Sequence, residues 1–117
     1  MAKAKKILII EDEKALSRAL SLKLQSEGFE VEVANDGELG LAAIKKFKPN
    51  LIILDLVMPK FDGFEVLAKI KGKKVVVISN LSQDEDIEKA KKLGAKEYFI
   101  KSNVSLVDVV NKIKTIV

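Results

Sequence analysis

Apolar residues gather into five short runs, separated by longer stretches where they recur every three or four positions. The runs are ILII (7–10), VEVA (31–34), LIIL (51–54), VVVIS (75–79) and EYFI (97–100). Runs this short, rich in β-branched and aromatic residues, predict strands. Unbroken apolar runs suit parallel strands covered on both faces, whereas the alternating VEVA predicts an edge strand. Between the runs, Leu16, Leu20 and Leu24 with Ala19 predict one amphipathic helix, and Leu39, Ala42, Ala43 and Phe47 a second. Leu106, Val109, Val110, Ile113 and Val117 form the clearest stripe, while Ile87, Ala90 and Leu93 give a thin one, as expected of a marginally packed helix.

Local signals punctuate the same segments. SQDE (82–85) and SLVD (105–108) fit the Ser-x-x-acid capping box at helix starts. Asp62 is placed to cap a third helix, Gly28 and Gly94 to end helices before strands, and Pro49 to end the second. Pro59 and Gly63 are read as shaping the turn after the third strand. Five strand–helix units without a linker or low-complexity tract predict one α/β domain, a doubly wound five-stranded parallel sheet over residues 1–117 with 1–4 as an N-terminal extension.

Composition narrows the chemistry. The 117 residues contain neither Cys nor His, so disulfides, thiolate or imidazole metal sites and histidine general bases are excluded within this chain. The net charge of +4 rests on twenty Lys and the single Arg18, interleaved with acids in many places. That balance reads as a lysine-solvated surface, with no aromatic–basic interleaving for base stacking and no nucleic-acid recognition motif. The N-terminus is basic but carries only four consecutive apolar residues, and no run approaches the ~20 needed to span a bilayer. A soluble, cytoplasmic protein is the expectation.

In doubly wound sheets the functional crevice lies beyond the carboxyl ends of the strands. Here strand one ends in Glu11-Asp12, strand three in Asp55, strand four in Ser79-Asn80 and strand five in Lys101. Singly, Asp12 reads as a helix cap, Ser79 as an ordinary strand-end hydroxyl and Lys101 as one lysine of twenty. Together they predict a site. Three crowded carboxylates repel one another, and a hard cation such as Mg²⁺, with its oxygen ligands, relieves that repulsion. Ser79, Lys101 and the backbone N–H groups after Asp55 would then cradle a phosphoryl group, with the Asp55 carboxylate as nucleophile. An aspartate-dependent phosphatase would want a second acid where Val57 stands, a flavin protein a hydroxyl- and glycine-rich loop where EDEK stands, and no P-loop occurs.

The elements ILIIEDE, LIILDLVMPKFDGFEVL, VVVISNLS and GAKEYFIKS, in that order over roughly residues 5–117, resemble the receiver (response regulator) domain of two-component signalling, of the single-domain type. The resemblance implies a flavodoxin-like (βα)5 fold with strand order 2-1-3-4-5. It implies Asp55 as phosphoacceptor, Mg²⁺ held by Glu11, Asp12, Asp55 and the Val57 carbonyl, and Ser79 and Lys101 on the phosphoryl oxygens. Ser79 and Tyr98 would be the switch pair, shifting the face made by helix four, strand five and helix five. The donor would be a histidine kinase or histidine phosphotransfer protein, the recipient of the signal a downstream protein, and the same face is where receivers pair as homodimers. Catalysis would be limited to self-phosphorylation and autodephosphorylation. The alternative is a binding module of the same shape that no longer uses phosphorylation.

Three departures stand out. Ser102 follows the lysine where receivers usually carry a proline joined by a cis peptide. A non-proline cis bond costs about 2.5–4 kcal/mol, so a trans bond and a reshaped loop at Ser102-Asn103 are expected, leaving the reach of Lys101 open. Asn80 replaces the small residue usual after the switch hydroxyl, and the IKGKKV link between helix three and strand four is short, read as trimming without consequence.

Overall fold

A computed structural model describes residues 4–117; most of the expected 1–4 extension, residues 1–3, lies outside the described residues. Five parallel strands form one sheet: β1 (Lys6–Ile10), β2 (Glu30–Ala34), β3 (Leu51–Leu54), β4 (Val75–Ser79) and β5 (Ala95–Ile100). Their order is β2-β1-β3-β4-β5, with β2 at an edge as its alternating pattern predicts. The helices are α1 (Lys14–Ser26), α2 (Gly37–Phe47), α3 (Gly63–Lys69), α4 (Asp84–Lys92) and α5 (Leu106–Ile116), with a 3-10 turn over Lys101–Asn103. This is the doubly wound, flavodoxin-like architecture.

Successive strand residues point to opposite faces, and the core divides accordingly. Leu8, Ile10, Ile52, Leu54, Val75 and Val77 pack with Ile44, Val66, Leu67 and Ala90, under α2, α3 and α4. Ile7, Ile9, Leu51, Ile53, Val76 and Ile78 pack with Leu20, Leu24, Val109, Val110 and Ile113, under α1 and α5. Because both faces are covered, β1, β3 and β4 read as unbroken apolar runs. Each fully buried Leu or Ile contributes about 1.5–3 kcal/mol over its exposed state.

The expected stripe on α2 is corrected by the structure. Leu39 is 55% exposed and Ala42 is exposed as well; the buried face is Gly37, Gly40 and Ile44. Ala43 and Phe47 of the expected stripe do pack against the core, with Leu41 beside them. A Cβ on Gly40 would lie 2.6 Å from Ile10 Cδ1, so the helix backbone sits almost directly on β1 and the glycines share the contact face with these apolar side chains. The capping boxes are also revised. Ser105 is the N-cap of α5 but makes no side-chain bond, and the N-cap of α4 is Gln83, likewise without one. The structure does place Asp62 Oδ1 2.9 Å from the Phe64 N–H at the start of α3. Gly28 and Gly94 adopt φ of 94° and 112°, the left-handed geometry that ends α1 and α4. Only Ala90 of α4 is fully buried, which fits its thin stripe.

Candidate functional site

The carboxyl ends of β1 and β3 set the site. Glu11 continues the ladder beyond β1, donating its N–H to the Ala34 carbonyl at 3.0 Å, and Asp55 does the same beyond β3, donating to Ile10 at 3.0 Å. Backbone pairing therefore fixes both residues before their side chains do anything. Asp55 is 3% exposed and Glu11 2%. Burial of this degree demands partners for the charges, and each oxygen has one. Asp55 Oδ1 accepts the Val57 N–H at 3.1 Å, and Oδ2 accepts Lys101 Nζ at 2.9 Å. Glu11 Oε2 accepts the Glu13 N–H at 2.9 Å, while Oε1 lies 2.8 Å from Lys101 Nζ.

Lys101 thus reaches the site without the usual proline behind it. There is no cis peptide among the described residues, and Lys101–Asn103 form a 3-10 turn, so the trans bond and reshaped loop expected at Ser102 are what the structure has. Burial by itself would lower the Lys101 pKa, but the hydrogen bonds and charges of Glu11 and Asp55 outweigh it and raise the pKa above its ordinary value. Burial pushes Glu11 up to about 7, opposed by Lys101 and the Glu13 N–H and reinforced by the charge of Asp55.

Asp12, half-buried, completes a cluster: one carboxylate oxygen from each of Glu11, Asp12 and Asp55 lies within 4.8 Å of the others. Three oxygen donors at this spacing, with one lysine between two of them, fit a hard divalent cation. Val57 is 56% exposed, and the backbone group it gives to the site is the N–H held by Asp55 Oδ1.

Ser79 ends β4, and Tyr98 stands in the neighbouring β5 two residues before its end. Ser79 is fully buried and its Oγ accepts the Leu81 N–H at 3.2 Å. The half-buried Tyr98 donates its hydroxyl to the Leu81 carbonyl at 2.6 Å, and burial raises its pKa. The two switch candidates therefore meet at the backbone of Leu81, the start of the loop into α4. Asn80 is exposed.

Two contributors escaped the sequence reading. Asn35 Nδ2 donates to the Glu11 carbonyl at 3.0 Å, anchoring the strand end that carries the acids. Glu13 Oε2 approaches Lys101 Nζ at 3.4 Å from a largely exposed position. Glu13 was visible in EDEK; Asn35 carried no signal, since its role depends on the lateral pairing of β1 with β2.

Residues 7–114 match the response regulator receiver domain model. The chain belongs to the receiver family. It is 40% identical over 103 residues to the chemotaxis protein CheY of Treponema pallidum, a match covering 82% of this chain and 72% of that protein. Among solved structures it is similar to a CheY-like receiver from Methanospirillum hungatei, with TM-score 0.89 and 32% identity, covering 96% of this chain and 92% of that one. It is also similar to the Mn(2+)-bound form of response regulator Rcp1, with TM-score 0.78 and 33% identity, covering 96% and 91%. The chain spans about two fifths of the length of the first curated relatives it matches, which are transcriptional regulators. Receivers are regulatory domains that bind Mg²⁺ through acidic residues, and the Glu11–Asp12–Asp55 cluster of this receiver can hold a metal. No helix among the described residues is long and apolar enough to cross a membrane.

Proposed function

We propose that this receiver is a phosphoacceptor switch that takes a phosphoryl group on Asp55 from a phosphohistidine donor, on a histidine kinase or histidine phosphotransfer protein. The observation that carries the reading is the convergence of Glu11, Asp12 and Asp55 oxygens within 4.8 Å, with Lys101 against two of them. Glu11, Asp12 and Asp55, with the Val57 carbonyl, would hold a divalent cation such as Mg²⁺, which when bound offsets negative charge on the phosphoryl oxygens.

The chain's own groups do the rest. Asp55 is held by the Val57 N–H on one oxygen and by the ladder bond to Ile10, and its second oxygen accepts from Lys101. That oxygen forms the new O–P bond as the donor's P–N bond breaks, and the imidazole departs with the bonding pair. Lys101, freed from the neutralised Asp55 oxygen, follows the charge onto the phosphoryl oxygens. The Ser79 hydroxyl donates to another of them.

Drawing Ser79 toward the phosphoryl group removes its Oγ from the Leu81 N–H. Tyr98 holds the other side of the same peptide segment through the Leu81 carbonyl, so the loop into α4 is the element on which the two rearrangements bear. α4, with one fully buried residue, offers little resistance, and the surface of α4, β5 and α5 would carry the signal to a downstream protein or a second copy. The test is addition of beryllofluoride with Mg²⁺, followed by amide NMR. Shifts at residues 79–98 in the wild type, absent in Asp55→Asn, support the reading. Equal responses in both proteins, or none in the wild type, refute it. A phosphorylation-independent binding module would give the last result.

A further inference from the structure

Charge is segregated along the strand axis. Acids occupy the first turns of α2, α3, α4 and α5, and lysines the last turns of α1 through α5. Helix dipoles account for both, because every helix runs antiparallel to the sheet and ends at the amino pole of the strands. The dipole also favours Lys48, the C-cap of α2, but does not account for Lys5, Lys6, Lys73 and Lys74 or for Lys71, beyond the cap of α3, which bring the lysines outside the helices at that pole to six.

Backbone bonds bring these lysines together. The Asn50 N–H donates to the Lys6 carbonyl at 2.8 Å, Asn50 Oδ1 accepts the Lys6 N–H at 2.7 Å, and the Ile52 N–H donates to the Lys74 carbonyl at 2.9 Å. The starts of β1, β3 and β4 are thus lateral neighbours spanning about 10 Å at ordinary strand spacing. Pro49, Asn50, Gly72, Lys73 and Lys74 line an open groove of about 300 Å³ between the two lysine-bearing loops. The segments KKFKPN (45–50) and KIKGKK (69–74) hold no acid. None of the six lysines has a salt bridge among the described residues and five are exposed; the sixth, Lys6, turns its ammonium to the Phe47 carbonyl at 3.4 Å. The carboxylates at this pole include Glu30, opposite Lys6 in register, and Glu27, paired with Lys114.

We propose that this pole is a docking surface for the phosphate backbone of nucleic acid, remote from the acidic crevice and read without sequence preference. Lysine is a point charge that suits phosphate, and the pole has neither an arginine for bidentate contact with a base edge nor an exposed aromatic for stacking. The exposed large apolar residues Leu22, Leu39, Val57 and Val107 lie away from these loops, so the pole lacks the apolar wedge with which a membrane-surface element inserts. Neutralising about four phosphates implies roughly a hundredfold loss of affinity between about 50 and 200 mM salt.

Fluorescence anisotropy with two short DNA duplexes of unrelated sequence tests this. The expected results are equal binding of both duplexes, the stated salt dependence, and at least tenfold weakening in the triple variant K48Q/K73Q/K74Q. The control K14Q/R18Q/K60Q, which loses the same charge elsewhere, should weaken binding less than threefold, with thermal unfolding confirming that both variants fold. Equal weakening in the two triples reduces the effect to net charge and overturns the surface. No retention at low salt overturns it too. Tighter binding to phosphatidylserine vesicles than to DNA would assign the pole to a membrane instead. Salt-sensitive self-association in sedimentation would assign it to the acidic end of a second copy.

Discussion

Glu11→Gln should make the protein more stable above neutral pH. In the folded chain burial raises the Glu11 pKa from 4.5 to about 7. A carboxyl with a raised folded pKa contributes its full stability below the unfolded value and loses it as pH rises through the folded value. The window here runs from about 4.5 to 7. The difference corresponds to about 3 kcal/mol at roughly 1.4 kcal/mol per pH unit. Gln is neutral throughout, so the variant should gain about that amount over wild type at pH ~8 and almost nothing at pH ~4.5. Urea unfolding in EDTA reads this as a midpoint difference on the order of 2 M at the higher pH, with equal slopes. Lys101 keeps its contact with Asp55 in the variant, so its own burial is not left uncompensated. Stability curves that run parallel for the two proteins across that pH window would refute the buried-charge account of the site.

The same proton sets the pH dependence of the cation: Mg²⁺ affinity, followed by calorimetry, should fall as pH drops below about 7, because Glu11 must give up its proton to bind. Gly40→Ala places a methyl 2.6 Å from buried Ile10 and should cost about 1–3 kcal/mol by urea unfolding, with an unchanged m-value. Gly63→Ala meets the Leu56 backbone at 2.3 Å, where no side chain can yield, and should disturb the loop carrying Asp55 and Val57, seen as NMR shifts concentrated at 55–63. Tyr98→Phe removes the hydroxyl bond to Leu81 and should cost about 1 kcal/mol while speeding amide exchange at the start of the loop into α4.

The strands were legible because burial on both faces writes itself as unbroken apolar runs: ILII, LIIL and VVVIS fall within or coincide with β1, β3 and β4. The site was legible because it sits where those runs stop, and Glu11, Asp12, Asp55 and Lys101 do come together. What failed were features set by contacts distant in sequence. Of the stripe expected on α2, Ala43 and Phe47 pack on the core while Leu39 and Ala42 face out, because the helix is rotated to let Gly37 and Gly40 approach Phe61 and Ile10 closely. Ser82 and Ser105 stand where caps belong, but whether a hydroxyl turns onto the helix depends on the loop, and here neither α4 nor α5 has a side-chain cap. The reach of Lys101 with serine behind it is set by the 3-10 turn over Lys101–Asn103, a loop geometry that no local signal in KSN announces.

The central claim is that the charge at the end of β3 is there to accept phosphorus. Incubation with acetyl phosphate and Mg²⁺, followed by intact and tandem mass spectrometry, tests it most directly. The account predicts one added phosphoryl group, located on Asp55, abolished by EDTA and absent in Asp55→Asn. Label on another residue, or undiminished labelling of the variant, would contradict it.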